Sequence, residues 1–151
     1  MPRAPVQIAC RLTTAAFFLT AACGSALAQT APPAANPNVR EVSLVRQDSS
    51  DCPNGNVSDA DSSRIGGTAV LVRNGDGTTT VKVAITAQPN TKYNFYLKCV
   101  RILGSLPTHD EGEGMAEFSF RTDETGNVFA FDMYPDGAPA GNKFQSVQVK
   151  F

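Results

Sequence analysis

Residues Gln88–Ile102 read QPNTKYNFYLKCVRI, a turn signal that leads into an aromatic-rich alternating run. Successive side chains of a β-strand point to opposite faces, so Tyr93, Phe95, Leu97 and Cys99 share one face. The stretch therefore predicts a central strand with one buried face.

Six other runs have strand character, and turn-forming residues such as Asn74–Gly77 separate them. These runs are Val39–Gln47, Gly67–Arg73, Thr78–Thr86, Met115–Arg121, Val128–Tyr134 and Lys143–Phe151. From residue 29 onward no window has the apolar spacing of three and four that indicates a helix. The pattern predicts an all-β fold, an antiparallel Greek-key (Ig-like) β-sandwich of about seven strands with one disulfide.

The motif Pro89-x-Thr91-x-Tyr93-x-Phe95 resembles the segment that leads into the sixth strand of fibronectin type III domains. The resemblance implies that Tyr93 forms a tyrosine corner, in which its hydroxyl bonds back to the chain and holds two sheets together. Three strands follow this one instead of one, and the chain has no Trp. The resemblance therefore extends to the corner and the Ig-like sandwich architecture, not to the family.

The first 28 residues have the form of a secretory signal peptide. Arg3 and Arg11 provide the basic start, Leu12–Ala22 is apolar, and Ala26–Ala28 has the small-x-small form of a cleavage site. The apolar run is about half of the ~20 residues that a spanning helix needs, so no membrane span is expected. This predicts a secreted or periplasmic protein.

A bacterial lipoprotein site is the alternative interpretation of the same region. Leu19–Gly24 places Cys23 where an acylated first residue would lie, although Thr20 occupies the position that the pattern gives to a large aliphatic residue. Residues 29–38 are rich in Ala and Pro and are predicted to be a disordered leader, or a tether if Cys23 is lipidated. Residues 39–151 are predicted to form a single domain.

Charge and cysteine content restrict the partners. The chain has 13 basic and 14 acidic residues, and its Lys and Arg residues are scattered without a basic cluster, so no nucleic-acid partner is expected. Cys52 and Cys99 are the two cysteines outside the predicted signal peptide, and in an oxidising compartment they are predicted to form a disulfide. A metal site on these thiolates would need further ligands, and the chain has one His.

Two polar segments hold the candidate binding residues. Asp48–Arg64 contains Asp59 and Asp61, whose spacing begins like a calcium loop but has Arg64 where Gly is needed. Leu103–Gly114 is predicted to be a loop, and it contains four ionisable side chains that could act as bases or ligands: His109, Asp110, Glu111 and Glu113. No matching nucleophile or second His accompanies them, so solvated loops are favoured, with no catalytic residue, metal or cofactor.

Taken together, the sequence predicts an exported, non-enzymatic binding or envelope-associated protein that recognises a protein or glycan ligand through its loops. The disulfide is expected to bring both polar segments near one end. The alternatives are a small hydrolase or metal-dependent enzyme that uses the His109 loop, and a surface lipoprotein anchored at Cys23.

Overall fold

The computed structural model describes residues 35–138 and 142–151, and these residues contain ten β-strands. Their bounds are β1 Val39–Arg46, β2 Ile65–Arg73, β3 Thr78–Thr86, β4 Lys92–Leu97, β5 Arg101–Pro107, β6 Glu113–Arg121, β7 Val128–Phe129, β8 Phe131–Pro135, β9 Phe144–Ser146 and β10 Val149–Lys150. Two short 3₁₀ turns, Ser62–Arg64 and Thr122–Glu124, are the helical segments of these residues. No helix in the described ranges is long and apolar enough to cross a membrane.

Eight of the strands form one antiparallel sheet in the order β5-β4-β8-β9-β1-β2-β3-β6, and β7 pairs with β10. The end strands β5 and β6 are joined by a turn and lie against each other, so the sheet is nearly closed. The predicted all-β, antiparallel fold and the Cys52–Cys99 disulfide are confirmed. The arrangement differs from the predicted seven strands in two sheets, because β9 connects β8 to β1 within one continuous sheet.

The core lies inside the curved sheet, where the alternating strands place their apolar side chains. Val81, Val83 and Ile85 of β3 are buried, as their spacing predicts. Phe95 packs at the centre, with its ring stacked on those of Phe131 at 4.9 Å and Phe118 at 5.2 Å. Such aromatic stacking adds to the stabilisation that burial provides.

The predicted central strand is shorter than its sequence pattern suggests. It ends at Leu97, whose carbonyl accepts a hydrogen bond from Val100 N at 3.0 Å, and the chain reverses there. Cys99 has a φ of 60° in this turn, a conformation usually taken by Gly or Asn, so its residue type gave no turn signal. The inward position predicted for Cys99 is wrong, and its side chain is exposed.

The predicted loop Leu103–Gly114 is also wrong in part. Its first half belongs to β5, which runs back along β4 with Lys92 opposite Pro107 and Leu97 opposite Arg101. Its last residues begin β6, which leaves Thr108–Gly112 as a tight turn. Two other predicted strands, 128–134 and 143–151, are each split because their halves pair with different partners.

Tyr93 anchors the start of β4. The side chain is fully buried, its hydroxyl accepts a hydrogen bond from Gln88 N at 3.1 Å, and its ring meets that of Phe144 edge-on. This bond ties the start of β4 to the turn that precedes it, and the assignment of a tyrosine corner stays a prediction. Kinship with fibronectin type III-like domains stays a prediction.

The disulfide and the His109 turn lie at opposite ends of β4 and β5, about 20 Å apart by strand rise. We call these the Cys99 end and the His109 end. The segment after β1 reaches the Cys99 end at Cys52 and returns to the His109 end, where the Arg64 Nε donates to Arg46 O at 3.0 Å. The disulfide therefore does not hold both polar segments at one end: it lies away from the His109 turn, although the last residues of Asp48–Arg64 return to the His109 end.

An ion pair joins β5 to the segment after β6 at the Cys99 end, with Arg101 Nε 2.6 Å from Glu124 Oε2. The hydrogen bond from Arg101, followed by that from the Arg121 backbone N–H, lowers the pKa of Glu124 from 4.5 to about 2. A carboxylate with a lowered pKa in the folded state stabilises the fold above its unfolded pKa and loses that effect as the pH falls.

We therefore expect the melting temperature to fall between pH 4.5 and about 2, and to fall less in Glu124→Gln. Melting curves of both proteins across this range measure the difference. Arg101→Gln, which removes the donor, should reproduce the flatter profile. An identical acid-side fall in all three proteins would contradict the assignment.

Candidate functional site

Asp59 and Asp61 of the segment Asp48–Arg64 make hydrogen bonds that hold this segment in place. Asp59 Oδ2 accepts a hydrogen bond from Ser43 Oγ at 2.9 Å, which holds the segment against β1. Asp61 caps the turn Ser62–Arg64 by accepting from Ser63 N and Oγ, and these bonds lower its pKa. The structure thus places both predicted candidates in contacts with β1 or with their own turn.

The His109 group lies on the tight turn between β5 and β6. His109 N donates to Glu113 O at 3.0 Å, and Gly112 has a φ of 83°, the left-handed conformation that glycine adopts without strain. His109 Nδ1 accepts from Glu111 N at 3.3 Å, so in the neutral ring the proton is on Nε2, which lies 3.6 Å from Glu113 Oε2. Asp110 is 89% exposed beside Nδ1. The turn therefore brings the side chains of His109, Asp110 and Glu113 together, and Glu111 takes part through its backbone N–H.

An open groove of about 550 Å³ begins at this turn and crosses the outer surface of three strands. We call it the trough. It is lined by Ile65, Gly66, Gly67 and Thr68 of β2, Ala84, Ile85 and Thr86 of β3, and His109, Glu113, Gly114 and Met115. Two of its apolar side chains are strongly exposed, Met115 at 81% and Ile65 at 38%.

The register of the three strands explains the depression. Thr68 lies opposite Ala84, and Ala84 lies opposite Met115, so a methyl group is placed between two longer side chains. In the next row Gly67 and Gly114 flank Ile85. The trough therefore has side-chain walls and a floor of small groups and backbone.

The two glycines are also required for packing. A Cβ on Gly67 would lie 2.3 Å from Ala84 O, and one on Gly114 would lie 2.7 Å from Pro107 O. These distances are far below ordinary contact, so a side chain at either position would force the strands apart. The two glycines therefore allow the close packing of these strands.

No protein-family model matches the chain, and no curated protein matches it. The site is therefore interpreted from its own geometry.

The apolar surface continues beyond the trough along the same face. A second groove of about 360 Å³ shares Thr68, Ala84 and Met115 with it and extends to Val70. The exposed ion pair between Lys82 and Glu117, 3.5 Å apart, lies at its side. The face is apolar near the His109 turn and charged farther along.

Within residues 35–138 and 142–151, no cluster of three or more His, Cys, Asp or Glu side chains is arranged to hold a metal ion. The side-chain contacts of His109 are with Glu111 N, Asp110 and Glu113, all on its own turn. This arrangement forms a polar rim for the trough.

A buried polar network beneath the segment after β1 was not predicted from the sequence. The Lys98 ammonium, with a 5% exposed side chain, lies 3.6 Å from Asp132, donates to Ser49 O at 2.5 Å and also bonds Asn54 Oδ1. Burial raises the pKa of Asp132. The network holds the segment after β1 against the sheet. The only indication of it in the sequence was Lys98, a single charged residue beside Cys99 in an otherwise apolar run.

Proposed function

We propose that this chain is an exported, non-enzymatic binding protein and that the trough is its ligand site. The observation that carries the proposal is the composition of the trough: apolar side chains and bare backbone line it, and its ionisable groups lie together at one rim. Ligand sites commonly combine an apolar lining with a few convergent polar groups. Ig-like sandwich ancestry, with Tyr93 as its corner, is part of this proposal.

The disulfide supports a location outside the reducing cytoplasm, since such bonds persist in oxidising compartments. The predicted signal peptide 1–28 and the alternative acylation site Cys23 lie outside the described residues. Both stay predictions.

The geometry of His109 supports a rim role more than an enzymatic one. Its Nδ1 is engaged by the backbone of its own turn, and its Nε2 faces a carboxylate. A general base needs a substrate or nucleophile proton within hydrogen-bond reach. The polar turn is better suited to orient a ligand that occupies the neighbouring groove.

Photo-crosslinking from Met115 tests the proposal. A photoreactive phenylalanine analogue at this exposed position should give a discrete adduct when the protein is irradiated in an extract of bacterial envelopes. The same analogue at Val100, which is 51% exposed at the Cys99 end, is the matched control and should not give it.

Ala84→Phe in the Met115-labelled protein should reduce the adduct at least about tenfold, because the ring fills the space between Thr68 and Met115. Ser119→Phe adds the same ring to β6 outside the trough and should leave the adduct within about twofold. An adduct that is equal from Val100, or unchanged by Ala84→Phe, would contradict the trough as the site.

A further inference from the structure

We infer that the trough takes an extended peptide segment in which apolar side chains alternate with Lys or Arg. The inference rests on the proposed function, because it names the ligand class of the same site. Three features of the described residues carry it: the width of the trough, its charge and the side chains of its lining.

The width suits one extended chain. The trough crosses β2, β3 and β6, and neighbouring strands lie about 4.8 Å apart, so its two walls are roughly 10 Å apart. Side chains of an extended segment alternate in direction, so every second one can enter the depression over Ala84 while the others point along the rim. The exposed Met115 and Ile65 provide apolar contact on the two sides.

The charge of the rim selects cationic side chains. The ionisable residues of the lining are His109 and Glu113, and Asp110 and Glu111 continue the same turn. Neither His109 nor Glu113 has a Lys or Arg side chain among its ion pairs in the described residues, and Lys82, at the side of the neighbouring groove, pairs with Glu117. The rim therefore presents carboxylates to a ligand, and opposite charge favours both encounter and register.

The lining favours a peptide over a glycan. Sugar rings commonly stack on aromatic side chains. The residues that line the trough are aliphatic, small or polar, and the one ring among them is that of His109, whose two nitrogens contact Glu111 N and Glu113. Aliphatic walls suit the methyl groups of Val, Leu or Ile. The experiments must therefore distinguish a peptide ligand from a glycan ligand.

The experiment is isothermal titration calorimetry of the full protein with capped pentapeptides. The sequence Lys-Val-Lys-Val-Lys is the probe, Glu-Val-Glu-Val-Glu reverses its charge, and Lys-Gly-Lys-Gly-Lys removes its apolar side chains. The first peptide should bind at least about tenfold more tightly than either of the others, and raising the salt should weaken it.

Variants locate the binding. Ala84→Phe should weaken the first peptide at least about tenfold, and Glu113→Gln should weaken it about fivefold, the size expected for one exposed ion pair. Ser119→Phe should leave it within about twofold. Equal binding of the charge-reversed peptide, or binding that Ala84→Phe leaves unchanged, would overturn the inference.

The crosslinking and calorimetry experiments distinguish failure of the peptide inference from failure of the proposed binding function. If Met115 crosslinks in an Ala84-dependent manner while the cationic peptide does not bind, the peptide inference is overturned and the binding function stands. If a linear oligosaccharide binds and Ala84→Phe abolishes that binding, the peptide inference is likewise overturned and the binding function stands. If neither crosslinking nor any of these ligands depends on Ala84, both are overturned.

Discussion

Replacing Cys52 and Cys99 together with Ser is expected to lower the free energy of unfolding by about 4 kcal/mol. The bond closes a loop with a sequence separation of 47, and the loss of loop-closure entropy in the unfolded chain gives this magnitude. It also anchors the segment that covers Lys98, so its removal frees contacts of the buried network. Urea unfolding of the native and double-serine proteins measures the difference.

The reduced native protein is the control for the disulfide, and it should unfold like the double-serine variant. Because the trough lies at the other end of β4 and β5, peptide binding by the folded variant should stay within about twofold. A stability loss below about 1 kcal/mol would contradict the role of the bond.

Lys98→Met is expected to lower the free energy of unfolding by about 3 kcal/mol, because it leaves Asp132 buried beside a neutral side chain. Gln145 Nε2 still donates to Asp132 at 2.9 Å and Lys143 stays at 3.6 Å, which limits the loss. Chemical denaturation at neutral pH measures it.

The pH dependence separates this loss from simple loss of packing. Burial raises the pKa of Asp132, so its carboxylate costs stability when charged, and that cost disappears as the pH falls through the folded-state pKa. The penalty of Lys98→Met should therefore shrink towards pH 4, near the ordinary Asp value. Lys98→Met combined with Asp132→Leu should recover at least about 1 kcal/mol of the single loss. A penalty that is constant with pH, or fully additive variants, would contradict the buried pair.

Local alternation was enough to predict most of the strands. In β3 the alternating Val81, Val83 and Ile85 are buried as expected, and in β6 Phe120 is buried while Ala116 and Phe118 are partly buried against the core. β5 was missed because Arg101–Pro107 has no strict alternation and contains Gly104 at the position where Phe118 packs. The single sheet was missed because it depends on strand pairing between distant segments.

The candidate site was predicted only in its polar part. The ionisable turn from His109 to Glu113 is local in sequence, and the structure keeps it together. The trough depends on the register of Thr68, Ala84 and Met115, which lie on three strands far apart in the chain. The sequence contains one indication of the trough: Ala84 is a small residue on the outward face of β3, and Gly66 and Gly67 lie on the neighbouring strand. Recognising that they form a groove requires the pairing of these strands.

A backbone amide chemical-shift map with the Lys-Val-Lys-Val-Lys peptide shows directly whether the trough binds this ligand. The largest shifts are expected on Gly67, Ala84, Ile85 and Gly114, the rows that form the floor. A map centred on Val100 and Val128, two exposed apolar residues of the Cys99 end, would contradict binding in the trough.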